Sequence, residues 1–212
     1  MVTTLPTTTL DVIQAGVVPY AEAEQLQERL WSARCHNEIP DTLLVLQHPP
    51  VITLGQSGGL EDVHVSIKQL TARGVELHST NRGGRATFHG PGQLVVYPIV
   101  KLPDRDLHTY LWKLEEAIIG TVSAWGVAAD RDERYPGVWV NRNKLAAVGI
   151  AVRDDVTTHG AALNVNVDLS YFDLITPCGI ADRGVTSMCK LLGHSVSMRE
   201  IEDEFIQQFC NR

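Results

Sequence analysis

Apolar and polar positions alternate between two periods along the chain. Leu10 to Val18 reads as a first strand, and Pro19 suits the start of a helix in which Ala23, Leu26, Leu30 and Ala33 recur at helical spacing. Thr42 to Leu46 is an unbroken apolar run that His48, Pro49 and Pro50 stop before a second short strand, Val51 to Leu54. Gly55 to Gly59 is a loop, a short helix around Ile67 to Ala72 ends at Gly74, and Val75 to His78 is extended. Leu107, Leu111, Leu114, Ile118, Val122 and Trp125 form a continuous helical stripe closed by Gly126. This helix is expected to pack on a sheet and to carry no chemistry. Val138 to Val140, a polar turn over 141–144 and Leu145 to Val152 read as a strand hairpin. Leu163, Val165 and Val167 alternate with Asn164, Asn166 and Asp168, the pattern of a strand with one wet face. Ser197 and Glu200 form a capping box ahead of Ile201, Phe205 and Phe209. Antiparallel-looking strands with a few flanking helices, and no linker or repeat, predict one α+β domain over residues 1–212.

The pattern breaks over Asn81 to Gln93, where four glycines and a proline preclude a helix or a regular strand interior. Gly83 and Gly84, then Gly90 to Gly92, read as tight turns around a short strand, Ala86 to Phe88. A surface hairpin would have the same glycines. Arg82, Arg85, Thr87 and His89 among them favour a cradle in which a ligand lies against backbone, followed by the anchoring strand Leu94 to Val100.

Charge narrows the function. Eighteen Lys and Arg against 25 Asp and Glu give a net −7, which argues against a general nucleic-acid or anionic-membrane binder. The longest apolar runs, 94–100 and 145–152, fall far short of the ~20 residues a membrane span needs. No Lys or Arg precedes Arg29, so a basic leader is not expected and the chain reads as cytoplasmic. Cys35, Cys178, Cys189 and Cys210 lie far apart without zinc-ligand spacing, and no metal or cofactor is expected.

Cys178 stands between Pro177 and Gly179, a rigid accessible turn whose following amides could face an oxyanion. Cys35, Cys189 and Cys210 fit the ordinary role of small buried apolar residues. Lys144 ends a polar turn just before eight uncharged residues. It is a solvated hairpin lysine unless its ammonium points inward, where it would make a base for a thiol nucleophile. His48 and His159 are further candidates.

Together these residues add up to a pattern that resembles the bacterial octanoyltransferases, also called lipoate–protein ligase B. The matching stretches are Arg82 to Gln93, Gly137 to Val140 with Lys144 to Gly149, His159 to Asn166, Pro177 to Ile180, and the early loop His48 to Gly58. The resemblance implies a mixed sheet flanked by helices, the fold shared with biotin and lipoate ligases. It implies transfer of an octanoyl group from octanoyl-acyl carrier protein to a lysine of lipoyl-domain proteins, without ATP. It assigns Cys178 as the acyl-thioester nucleophile and Lys144 as the lysine that lowers its pKa. It assigns substrate binding to Arg82, Gly83, Gly84, Arg85, Ala86, Thr87, Phe88, His89, Ala147, Val148, Gly149, His159, Gly160, Ala161 and Ala162. Arg82 and Arg85 are also the first candidates for meeting an acidic carrier protein. The rival readings are an ATP-dependent lipoate or biotin ligase on the same fold, a non-catalytic fatty-acyl binder, and a thioesterase.

Overall fold

The computed structural model describes residues 10–102, 104–176 and 183–211. In chain order the elements are β1 (Leu10–Val17), α1 (Tyr20–Cys35), β2 (Asp41–Gln47), β3 (Val51–Leu54), α2 (Ile67–Ala72), β4 (Glu76–Ser79), β5 (Ala86–His89) and β6 (Gln93–Ile99). There follow α3 (Leu107–Ser123), β7 (Asp130–Arg131), β8 (Val138–Val140), β9 (Asn143–Arg153), β10 (Val156–Asn164), β11 (Gly184–Val185), α4 (Met188–Leu192) and α5 (Met198–Cys210). Among the described residues the larger sheet runs β1-β2-β6-β10-β9-β8-β7, with β11 paired to β9, and the smaller runs β4-β3-β5. Parallel pairs (β1 with β2, β3 with β4, β11 with β9) and antiparallel pairs make both sheets mixed.

The central strands read as continuous apolar runs because both faces of the sheet are covered. Leu43 and Val45 of β2, with Leu94 and Val96 of β6, join the core under α3 and α5. Leu44, Leu46, Val95 and Tyr97 point the other way, toward Ala23 of α1. Leu114, Ala117, Ile118 and Val122 supply the α3 side of the first core, against Ile201 and Phe205 of α5. A third cluster, including Ile52, Phe88, Phe172 and Ile175, lies under the smaller sheet.

Two expectations need correction. The strand expected around Leu163 to Asp168 in fact begins at Val156 and ends at Asn164. Val165 joins the first core and Val167 the cluster under the smaller sheet. The polar partners do not form one wet face. Asn164 is buried and donates to the Thr186 carbonyl, and Asn166 pairs with the Val196 backbone in both directions. Asp168, which is exposed, caps the turn 169–174 by accepting from Ser170 N–H. Cys210 is exposed, not buried, while Cys35 and Cys189 are partly covered.

Candidate active site

A cleft is built where the hairpin β9/β10 meets the glycine-rich loop. Across that hairpin Ala147 pairs with Ala162, Val148 with Ala161 and Gly149 with Gly160. Ala147 with Ala162 and Gly149 with Gly160 share one face of the hairpin, where their small side chains leave a trough that Arg82 to Thr87 and His89 close from above. The side chains of Val148 and Ala161 turn to the first core and border the trough through backbone. Gly160 is required on its other side: a Cβ there would stand 2.2 Å from the Val96 carbonyl oxygen, so no side chain fits between β10 and β6.

The loop over the trough is held from within. Arg82 is 8% exposed, and its guanidinium donates to the Thr53 carbonyl at 2.7 Å, to the Arg85 carbonyl at 2.8 Å and to the Gly83 carbonyl at 2.9 Å. Gly83 N–H donates to the Ile150 carbonyl, tying the loop to β9, and the 55–57 backbone donates to carbonyls of Arg82, Gly84 and Arg85. Arg85 pairs with Asp62 at 2.7 Å and reaches Glu61 at 3.4 Å. Both arginines thus hold the loop together, Arg82 from within and Arg85 from a side chain that is still 36% exposed.

The inner end of the cleft is aromatic and uncharged. Tyr20, His89, Tyr97 and His159 line it, and His48 lies behind. His48 Nδ1–H donates to the Val18 carbonyl at 2.7 Å, so its Nε2 accepts from the Tyr97 hydroxyl at 2.8 Å. His89 Nδ1–H donates to Gln93 Oε1 at 2.7 Å, and His159 bonds Asn81 Oδ1. Burial lowers His48 and His159 to about 4 and His89 well below its ordinary value, with the Arg82 charge adding to the shift at His89 and His159. Burial likewise pushes the Tyr20 and Tyr97 phenols up. At neutral pH all five rings are neutral, a floor compatible with an alkyl chain.

Lys144 lies on β9, three residues before the trough. At 7% exposure it is no solvated hairpin lysine. Its Nζ donates to the Pro136 carbonyl at 3.2 Å and sits 4.7 Å from the centre of the Trp139 ring. Arg183 covers the same ring at 5.0 Å and pairs with Asp132.

The structure thus brings to one cleft all the proposed substrate-binding positions except Phe88. That ring turns into the cluster under the smaller sheet, stacked 4.6 Å from Tyr171. Cys178, with Pro177, Gly179 and Ile180, falls outside the described residues. Tyr20 and Tyr97 are lining residues that pattern reasoning passed over, one as the first residue of a helix and the other as part of an apolar run. Among the described residues no group of His, Cys, Asp or Glu is arranged to hold a metal, and no helix is long and apolar enough to cross a membrane.

Residues 19–210 match the lipoyl protein ligase A/B catalytic domain. An octanoyltransferase of Rubrobacter xylanophilus is 47% identical over 196 residues, covering 92% of this chain and 89% of its own. In three dimensions the chain is similar to the bi-partite lipoate protein ligase of Thermoplasma acidophilum, with a TM-score of 0.71 at 17% identity over 95% of this chain and 82% of that one. The biotin protein ligase of Aquifex aeolicus gives a TM-score of 0.55 at 14% identity, over 96% of this chain and 68% of that one. The mixed α+β fold is the one these ligases share, and this chain belongs to the lipoyl protein ligase A/B catalytic-domain family and, within it, to the octanoyltransferases.

Proposed function

We propose that the protein moves an octanoyl group from octanoyl-acyl carrier protein to a lysine of a lipoyl domain, by way of a thioester on Cys178. The observation that carries this reading is the cleft itself: small cross-strand pairs for walls, neutral rings for a floor, and Lys144 buried on the same strand. The Cys178 thiolate attacks the thioester carbonyl, and the oxyanion collapses with loss of the carrier's thiolate. The S-octanoyl enzyme remains. The acceptor amine then attacks that thioester, releasing the Cys178 thiolate and leaving an amide. Lys144 takes the thiol proton, returns it to the departing carrier thiol, and later accepts one from the attacking amine. A thioester already carries the energy that an adenylate would otherwise supply, so this route uses no ATP. Free thiols belong to a reducing compartment, and cytoplasmic residence is part of the same proposal.

Intact-mass measurement tests it. Mixing with octanoyl-carrier protein should add one octanoyl group to the enzyme, and apo lipoyl domain should then remove it and gain the same mass. Cys178→Ser should abolish the adduct, whereas Cys35→Ser, Cys189→Ser and Cys210→Ser should retain it. An adduct surviving on Cys178→Ala, or transfer that requires ATP, would sink the reading.

A further inference from the structure

Helix α3 was expected to be inert, yet it carries a carboxylate inside the protein. Glu115 is 8% exposed and stands beside Leu114 and Ile118 of the apolar stripe. A carboxylate at such a depth is costly unless it is paired and hydrogen-bonded. Its two oxygens have different partners. Oε1 accepts from Gly137 N–H at 2.8 Å, and Oε2 lies 3.3 Å from Arg131 Nε.

Gly137 N–H and the Pro136 carbonyl are the two ends of one peptide group, and that carbonyl accepts from the Lys144 ammonium. Carboxylate, peptide and ammonium therefore form a line: negative charge on the N–H end, positive charge on the C=O end. Each charge polarises the peptide in the sense that strengthens the other hydrogen bond. The turn is built for this line. Gly137 has φ +126°, in the region that favours glycine, and a Cβ there would stand 2.5 Å from the Ala146 carbonyl oxygen.

We propose that Glu115 is a positioning residue for Lys144: through the Pro136–Gly137 peptide it fixes where the ammonium stands, and its charge balances that ammonium where water is excluded. The proposal rests on the reading of Lys144 as the base of the transfer reaction. The surroundings fit the role. Burial raises Glu115 above its ordinary value, while the Gly137 N–H, Arg131 and Lys144 all act to keep it ionised. Arg131 is shared with Glu116 and rests on Trp112, and Arg183 on the far side of Trp139 is matched by Asp132. Glu115 is thus a buried carboxylate linked to Lys144 through a single peptide.

Two substitutions separate positioning from folding. Glu115→Gln keeps an oxygen for Gly137 N–H and removes the charge; Glu115→Ala removes both. In 15N-labelled protein, the Gly137 amide proton should move upfield in Glu115→Gln. The Lys144 ammonium signal, assigned by its loss in Lys144→Arg, should broaden by faster exchange with water. Steady-state transfer from octanoyl-carrier protein should show kcat down about tenfold in Glu115→Gln and about a hundredfold in Glu115→Ala, the scale of one and two charge-assisted hydrogen bonds. KM should stay within about twofold, because the acyl trough is untouched. Unchanged Gly137 and Lys144 signals in Glu115→Gln, or kcat fully restored by glutamine, would overturn the proposal. Should Glu115→Ala fail to fold, the glutamine variant decides alone. If the unaltered protein transfers no octanoyl group at all, the function fails, and the two resonances still test the link between Glu115 and Lys144.

Discussion

Arg82 holds Thr53 with three hydrogen bonds: one terminal nitrogen donates to the Thr53 carbonyl at 2.7 Å and to its hydroxyl at 2.8 Å, and Nε donates to the same hydroxyl at 3.2 Å. The glycine-rich loop over the cleft is thereby clamped to β3 of the smaller sheet. A guanidinium suits this work because its donors are fixed in a planar fork, and it stays charged at any pH the fold survives.

Arg82→Lys should therefore behave as a folding and loop variant. A single ammonium cannot reach the carbonyls of Thr53, Arg85 and Gly83 together, so buried acceptors are left without donors. The expected loss is about 2–3 kcal/mol in urea unfolding, with an unchanged slope. A stability change under about 0.5 kcal/mol with a raised KM for carrier protein alone would instead assign Arg82 to docking.

The Lys144 reading predicts a divergence between two substitutions. Lys144→Ala should slow iodoacetamide alkylation of Cys178 at neutral pH, with the deficit shrinking as pH rises, because a neighbouring cation favours the thiolate. Lys144→Arg keeps a cation that cannot shuttle protons. It should preserve much of the alkylation rate and lose about 100-fold or more in transfer to the acceptor amine. Wild-type turnover in Lys144→Arg would reduce Lys144 to an electrostatic neighbour.

Trough volume should select chain length. Ala147→Leu adds three carbons to a residue that lines the trough. Octanoyl thioester should lose about 10- to 100-fold in kcat/KM, while butyryl thioester loses less than about fourfold, since each buried methylene is worth about 0.8 kcal/mol. Equal losses for both donors would remove Ala147 from the acyl wall.

Acid should unfold the protein through its buried histidines. His48 and His159 sit at about 4 in the folded protein, and burial also holds His89 well below the ordinary value of 6.5. All three are neutral when folded and take up protons on unfolding as pH falls below 6.5. The stability they confer is complete above that pH and is lost on the way down toward 4. Near pH 5.5 the unfolding free energy should change by about 3–4 kcal/mol per pH unit, close to three protons, and by about one proton less in His48→Gln. Glu115, raised by burial, acts in the opposite sense and trims the slope. A slope of less than one proton would mean that these rings are already charged in the folded protein.

Much of this was written in the residues and some was hidden for physical reasons. Helices α3 and α5 show in the pattern because each buries one face, and β2 and β6 show because each buries both. Strand β10 does not. Val156 to Ala162 contains two threonines, a histidine, a glycine and two alanines, so neither alternation nor an apolar run marks it. The same small residues that make the trough erase the strand's signature. The structural role of Arg82 and Arg85 is not legible in the residues, because their acceptors, Thr53, Asp62 and backbone carbonyls, are brought to them only by the fold. Glu115 gives no signal in the pattern, since Gly137, whose N–H it accepts, lies 22 residues away and Arg131 is brought to it only by the fold.

The hairpin β9/β10 also limits how this protein can change. Lys144 and the wall residues Ala147 to Gly149 are points on one strand, and at a rise of ~3.3 Å per residue Lys144 and Gly149 stand about 16 Å apart along it. Inserting one residue between them would not lengthen the acyl compartment smoothly. It would turn Lys144 to the opposite face of the sheet and break the pairing of Val138 with Ala146 and of Trp139 with Lys144. New acyl lengths are reachable through the bulk of individual wall side chains, while the spacing from base to wall is inherited unchanged.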